Sequence, residues 1–327
     1  MIITQTPFRI SFAGGGSDLP AYYREHGGAV VSTTIDKYVY VTVSRKFDHT
    51  LRVSYSQTEE VENAGQLKHP IVREGLHMLG LEGGLEITSV ADIPSRGTGL
   101  GSSSSFAVGL MHALHAIGGR HVSAERLADE ACRIEIEKCG EPIGKQDQYA
   151  AALGGLNYIQ FHKDGSVQVE PITLTRTTRE SLNKHLLLFY TGITRSASTI
   201  LADQSRVLAS QRVKTVTMHR MVELAKELRH ELWRGNIEPV GRILHENWLL
   251  KQSLTKEIST DQINTWYQCA LTAGALGGKL LGAGGGGFLF FYAPPEKHKL
   301  IKAALPELRS IPLLLEPRGS RVVFVNQ

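Results

Sequence analysis

The hydrophobic pattern divides the chain into a strand-rich first part and a second part that turns helical after about residue 196. Phe8, Ile10 and Phe12 alternate with Arg9 and Ser11, the period of two expected of a half-buried strand. Val30-Val31 and then Tyr38 to Val43 are rich in β-branched and aromatic residues and predict a strand. Residues 70–80 predict a short helix, and Leu85 to Val90 a further strand. Phe106, Leu110, Met111, Leu114 and Ile117 recur at spacings of three and four, so residues 102–117 predict a helix that Gly118-Gly119 ends. Ser123 is placed to cap another helix reaching about Cys139. Strands are expected within residues 156–172 and 184–190. Beyond them Val213, Val216, Met221, Leu224, Leu228 and Leu232 fall on one face of a long helix. Helices at about 237–253 and 260–275, the strand 288–292, a last helix and the strand 321–325 complete the chain. This mixed order, not a strict βαβ alternation, argues for an α+β fold. A boundary within 175–195 gives two units, 1–180 and 181–327.

Bulk composition narrows the function classes. Of 327 residues, 42% are hydrophobic and 21% charged, an ordinary mix that can bury a sizeable core. The net charge of +4 is mild and the basic residues are scattered, which argues against nucleic acid as a partner. The three cysteines, Cys132, Cys139 and Cys269, show no CxxC spacing, so a reducing, cytoplasmic setting is expected and a disulfide framework or zinc site is not. The first residues lack the basic start and apolar core of a signal peptide. No apolar run reaches the ~18 residues of a membrane span, so no membrane partner is expected either.

Glycine changes the picture. There are 33, against about 23 expected from average usage. The excess gathers at Gly14 to Gly16, Gly97 to Gly101 and Gly282 to Gly287. Such clusters let a backbone approach a ligand closely. The stretch Ile93-Pro94-Ser95-Arg96-Gly97-Thr98-Gly99-Leu100-Gly101-Ser102-Ser103-Ser104-Ser105 follows a strand and opens a helix. That geometry aims backbone N–H groups and the helix dipole at one spot, which favours a phosphate. The serines add hydroxyls for phosphate oxygens or a magnesium ion. No GxxxxGK[ST] is present, and Ser104 stands where a dinucleotide fingerprint needs its last glycine. A flexible Gly/Ser linker is the plain alternative, disfavoured by Leu100 and the apolar helix that follows at once.

Two acidic groups lie further on. Glu135 and Glu137 fall near the end of one helix, and Asp147 follows in Gly144-Lys145-Gln146-Asp147-Gln148. Phosphoryl transfer to a hydroxyl needs a cation to spread phosphate charge and a carboxylate to orient or deprotonate the acceptor. Either glutamate could hold magnesium and Asp147 could serve the acceptor. A solvated helix face and a helix N-cap are the plain readings of the same residues. Arg9 and Asp18 flank the first glycine cluster, which suits either charge placement near a reacting hydroxyl or a surface turn.

Three segments in this order resemble the motifs of the GHMP kinases: Pro7 to Asp18, Pro94 to Ser105 and Lys279 to Phe288. The resemblance spans nearly the whole chain. It implies a first domain like ribosomal protein S5 domain 2, a ferredoxin-like second domain, and ATP and substrate in the cleft between them. It implies ATP bound by Gly97, Gly99, Leu100, Gly101, Ser102, Ser103 and Ser104, with Mg2+ on Ser103 and Glu135. Glu137 stays open, because the count back from Gly144 assumes no gap. Asp147 becomes the favoured base, Arg9 its basic neighbour at the reacting hydroxyl, and Asp18 a ligand of a substrate hydroxyl. Substrate contacts are also expected from Gly15, Gly16, Ser17, Gly284 and Gly285.

Within that superfamily, residues 12–20, 144–151 and 190–195 look most like the D-glycero-D-manno-heptose 7-phosphate kinases. These act on the anomeric C1 hydroxyl and give the 1,7-bisphosphate on the route to GDP-heptose. A small sugar phosphate is thus the expected partner, and a homodimer is compatible with the resemblance. Such a substrate calls for cations at its distal phosphate, for which Arg96, Lys145 and Arg195 are candidates by charge. Another sugar 1-kinase, for fucose or a hexosamine, is the first alternative. An inactive sugar- or nucleotide-binding regulator is the second, disfavoured by the joint presence of Arg9, Ser103, Glu135 and Asp147.

Overall fold

The computed structural model describes residues 1–94, 97–194, 197–210 and 212–326, with backbone alone at 197, 208–210, 212 and 213. Thirteen strands form among the described residues: β1 (Ile2–Ala13), β2 (Gly28–Arg45), β3 (Leu51–Ser54), β4 (Thr58–Val61), β5 (Leu85–Ala91), β6 (Leu156–Phe161), β7 (Val167–Pro171), β8 (Leu186–Tyr190), β9 (Gly277–Leu280), β10 (Phe288–Tyr292), β11 (Arg309–Ile311), β12 (Leu315–Glu316) and β13 (Arg321–Val325). The helices are α1 (Pro20–His26), α2 (Pro70–Leu79), α3 (Ser102–Ile117), α4 (Ala124–Cys132), α5 (Gln146–Leu153), α6 (Arg176–Lys184), α7 (Ala197–Ser210), α8 (Arg212–Trp233), α9 (Val240–Gln252), α10 (Asp261–Thr272) and α11 (His298–Ala304). This is the α+β fold that the sequence predicts, and its strands form two sheets.

The first sheet is organised by β2. It pairs antiparallel with β1 along most of its length, with β6 through residues 28–33 and with β5 through residues 39–45. β3 then adds in parallel to β5, and β4 closes a short hairpin. The second sheet runs β11-β8-β10-β9, all antiparallel. β12 and β13 return to the first sheet, so the segment expected as a second unit lends its last residues to the first.

β1 is buried on both faces, which places the site. Phe8, Ile10 and Phe12 are fully buried and share one core with Met218, Met221 and Leu224 of α8 and Phe288 to Tyr292 of β10. Arg9 and Ser11, the polar partners of the alternation, face a cavity instead of open solvent. α3 packs on β1 and β2, with Gly109 against Thr4 and Thr6 of β1, and turns Leu110, Met111 and Leu114, all fully buried, toward Gly75 of α2. Losing one of these side chains to alanine costs about 2–5 kcal/mol.

Two expectations change in detail. The helix expected to continue to Cys139 ends its regular part at Cys132 and widens into a π-helix over Arg133–Lys138. Val216, expected on the apolar face of the long helix, is 65% exposed, because the buried stripe runs through Met218, Met221, Ala225, Leu228 and Leu232. Val213 lies outside the described side chains.

Candidate active site

The loop from Gly97 to Ser104 is shaped by backbone meeting backbone. Gly97, Gly99 and Gly101 all hold positive φ, with Gly101 as the residue that precedes α3. A Cβ on Gly99 would stand 2.2 Å from the Leu281 carbonyl oxygen, and one on Gly282 2.3 Å from Gly99 Cα. One on Gly287 would stand 2.3 Å from the Thr98 carbonyl oxygen. The third glycine cluster therefore packs against the second, and the bare glycines let two loops touch without side chains between them. Leu100 is fully buried and its carbonyl accepts from the Arg9 backbone N–H at 3.0 Å, which ties the loop to β1.

In the first turn of α3, Ser103 Oγ donates to Glu135 Oε1 at 2.6 Å. Gln148 Nε2 of α5 donates to the other carboxylate oxygen at 2.6 Å. Glu135 is fully buried and its carboxyl is pushed up to about 7. Burial is the main cause, opposed by hydrogen bonds from Ser103, Ser104 and Gln148, with the nearby charge of Asp147 adding to the rise. Glu137, one step around the π-helix, is exposed. A buried carboxylate beside a hydroxyl at the mouth of a phosphate loop offers the hard oxygens that magnesium takes together with phosphate oxygens. Ser103 and Glu135 therefore fit a magnesium ion. Among the described residues there is no cluster of three or more His, Cys, Asp or Glu groups that could hold a metal.

A second group of charged side chains is built on β1 and α5. Arg9 Nε and Nη2 donate to the two oxygens of Asp147, each at 2.7 Å, and Nη1 donates to the Gly99 carbonyl at 2.6 Å. The fork fixes Asp147 relative to the loop. A Cβ on Gly101 would press on both, 3.1 Å from Arg9 Cγ and from Asp147 Oδ2. Asp18 lies next to them, 3% exposed. Its Oδ1 accepts from the Gly16 N–H at 3.0 Å and from Gln146 Nε2 at 3.3 Å, and its Oδ2 from the Gln146 N–H at 3.2 Å. Burial first, then the charge of Asp147, raises its carboxyl above the ordinary value. Gly144 is needed at this point, because a Cβ there would sit 1.8 Å from Asp18 Oδ2.

These groups line one cavity of about 310 Å³, which Gly15, Gly16, Gly97, Gly99, Gly101, Ser102, Ser103 and Ser104 share with Arg9, Asp18, Glu135 and Asp147. Ser11 Oγ, Thr98 Oγ1 and Gln146 Oε1, all on residues that line it, have no hydrogen-bond partner among the described residues. A second cavity of about 580 Å³ shares Ser102 and Ser103 and is walled by Tyr55, Ile71, Val90, Ile93, Pro94 and Phe106.

Other expected residues sit elsewhere. Ser17 Oγ bonds the backbone of Ala29 on both sides, at 3.0 Å. Gly284 and Gly285 pack on Ile258, whose carbonyl accepts from the Gly285 N–H at 3.0 Å. Lys145 donates to the Gly165 carbonyl at 2.7 Å and lies over the Tyr23 ring. None of these lines the cavity. Arg96 and Arg195 lie outside the described residues. Conversely, Lys251, Glu141 and Ser198 line this cavity with no sign of it in the sequence, and Lys279 and Gln146 line it from within motifs that gave them no role.

Residues 67–155 match the GHMP kinases N terminal domain, and residues 223–309 match the GHMP kinases C terminal family. The chain is 31% identical over 319 residues to the D-glycero-alpha-D-manno-heptose 7-phosphate kinase of Campylobacter jejuni, with 94% of each chain covered. It is 27% identical over 344 residues to the galactokinase of Pyrococcus furiosus, covering 93% of this chain and 92% of that one. The crystal structure of a D-glycero-D-manno-heptose 1-phosphate kinase from Bacteriodes thetaiotaomicron superposes with a TM-score of 0.82 over the whole of both chains. At 24% identity that last likeness speaks for the fold.

Proposed function

The chain belongs to the GHMP kinases, and we propose that it transfers the terminal phosphoryl group of ATP to the anomeric C1 hydroxyl of D-glycero-D-manno-heptose 7-phosphate, giving the 1,7-bisphosphate for GDP-heptose synthesis. The observation that carries this reading is the opposition of two assemblies across one cavity. The glycine-serine loop with Ser103 and Glu135 forms the donor side, and the forked Arg9–Asp147 pair with Asp18 forms the acceptor side.

The donor phosphates would rest on the N–H groups of the loop and the start of α3, where the helix dipole favours negative charge. The neighbouring cavity, which shares Ser102 and Ser103 and sets Phe106 and Ile93 beside His69 and Asp92, suits the apolar face and polar edge of a nucleoside. Ser103 and Glu135 would hold magnesium, which when bound neutralises charge on the donor phosphates. Asp18, Ser11 and Gln146 present fixed carboxylate, hydroxyl and amide groups to a polyhydroxylated acceptor. Asp147 is held by Arg9 through both oxygens and accepts the hydroxyl's hydrogen bond with its remaining lone pairs. In a loose transition state the hydroxyl needs to be aimed before it is deprotonated, so orientation by Asp147 comes first and proton acceptance follows. Arg9, beside both Asp147 and the Gly99 carbonyl, would stabilise charge that develops on the phosphoryl oxygens.

The test is a panel of ATP consumption with heptose 7-phosphate, mannose 6-phosphate, sedoheptulose 7-phosphate, fucose and galactose. The reading expects turnover of heptose 7-phosphate above all others. Turnover of the free sugars without the sugar phosphates would favour the fucose or hexosamine alternative and overturn it.

A further inference from the structure

The cavity holds two cations that the kinase reading leaves without a task. Lys251, near the end of α9, is 5% exposed, and its Nζ donates to the Gly282 carbonyl at 2.7 Å. Lys279, in β9, is 1% exposed, and its Nζ reaches the Phe12 carbonyl at 3.4 Å. Both line the cavity with Arg9. Neither pairs with a carboxylate among the described residues.

The cavity's carboxylates are otherwise engaged. Asp147 is committed to Arg9, Glu135 to Ser103 and Gln148, Asp18 to Gly16 and Gln146, and Glu141 to Ser198. Buried lysines rarely persist without a counter-charge. Here the cations also repel one another. Burial first lowers the Lys251 ammonium to about 8, with Asp18 and Asp147 opposing and Arg9 adding to the fall. Lys279 is lowered well below the ordinary lysine range by burial, then by Lys251 and Arg9. An anion between the two would relieve both costs at once. Lys251 Nζ meets Gly282, which packs on Gly99 of the loop, and Lys279 Nζ meets Phe12 of β1, so the two ammonium groups border the cavity between the loop and the strand that carries Arg9.

We propose that Lys251 and Lys279 form a seat for a phosphoryl group in this cavity, which they line together with Arg9. Two sources offer that chemistry: the phosphate already carried by the acceptor, and the phosphoryl group in transit. The inference rests on the kinase reading only for which of the two occupies the seat.

Inorganic phosphate is the probe, titrated by calorimetry and by thermal shift into the wild-type protein, Lys251→Gln and Lys251→Arg. Glutamine keeps a donor for the Gly282 carbonyl and removes the charge. Phosphate should bind and stabilise the wild type, bind Lys251→Gln about tenfold or more weakly, and bind Lys251→Arg at intermediate strength. Lys251→Gln should melt no lower than wild type in phosphate-free buffer, because it relieves a buried charge. Equal phosphate binding by wild type and Lys251→Gln, or none by wild type, overturns the proposal. So does a Lys251→Gln protein that only melts lower, since that is the behaviour of a loop tether.

Steady-state kinetics then separate the sources. A KM rise of about tenfold or more for the sugar phosphate and not for ATP assigns the seat to the acceptor's own phosphate. A fall in kcat at unchanged KM values assigns it to the group in transit. If the wild type phosphorylates no sugar phosphate, the kinase reading fails while the phosphate titration still decides the seat.

Discussion

Replacing Glu135 by glutamine should make the metal-free protein more stable and the enzyme much less active. Glu135 is fully buried and its carboxyl titrates at about 7 in the fold, against 4.5 ordinarily. At about 1.4 kcal/mol per pH unit, holding it charged costs the fold about 3 kcal/mol. The folded form keeps its proton more tightly than the unfolded chain does. The stability this group contributes is therefore complete below about pH 4.5 and is lost as the pH rises through about 7. Glutamine fits the same contacts, with its oxygen accepting from Gln148 and its amide donating to Ser103. In a chelating buffer Glu135→Gln should gain up to about 3 kcal/mol over wild type at pH 8, and much less at pH 5. The readout is the melting temperature at both pH values. With magnesium supplied, loss of a charged ligand should lower kcat by about 100-fold or more. A Glu135→Gln protein with the same offset from wild type at both pH values would refute the burial argument. Retained activity would refute the metal assignment.

Three further outcomes follow from the same geometry. Asp147→Asn should lower turnover by about 10²–10⁴-fold while nucleotide binding survives, as read by ATP consumption beside nucleotide titration, and near-wild-type phosphorylation would sink its role. Ser103→Ala should raise the magnesium concentration needed for half-maximal rate, with unchanged metal dependence counting against the site. Gly99→Ala should destabilise the protein by about 2 kcal/mol or more in thermal melts, since its Cβ would meet the Leu281 carbonyl at 2.2 Å in a backbone with φ of 77°. A neutral melt would show that the two glycine clusters do not depend on this contact.

What could be read along the chain was whatever local pattern determines. α3 follows from apolar residues at spacings of three and four ending at a glycine pair, and it runs over the residues expected, Ser102–Ile117. The loop before it is legible because backbone that must touch backbone leaves a trace of glycines. β3 and β4 are poorly legible, because four residues are too few to set a period: β3 alternates Leu51 and Val53 with Arg52 and is held by β5 and β4, while β4 carries Glu59 and Glu60 and exists through pairing with β3. The choice between Glu135 and Glu137 stays open in sequence because both precede the same turn. In the structure the π-helix buries Glu135 against Ser103 and leaves Glu137 exposed. Lysines show the limit most clearly. Lys145 draws attention beside the acidic motif, yet its ammonium is spent on the Gly165 carbonyl. Lys251 sits in the last turn of an ordinary helix and reaches the cavity because α9 packs against β9.

The central claim is that one cavity brings a donor phosphate to the anomeric hydroxyl of a sugar that already carries a phosphate. Phosphorus NMR of the reaction with ATP, magnesium and D-glycero-D-manno-heptose 7-phosphate tests it most directly. The account predicts a new phosphate signal coupled to the anomeric proton, with the 7-phosphate retained and ADP formed in equal amount. ATP consumption that leaves the heptose unchanged, or a second phosphate at any carbon other than C1, would contradict it.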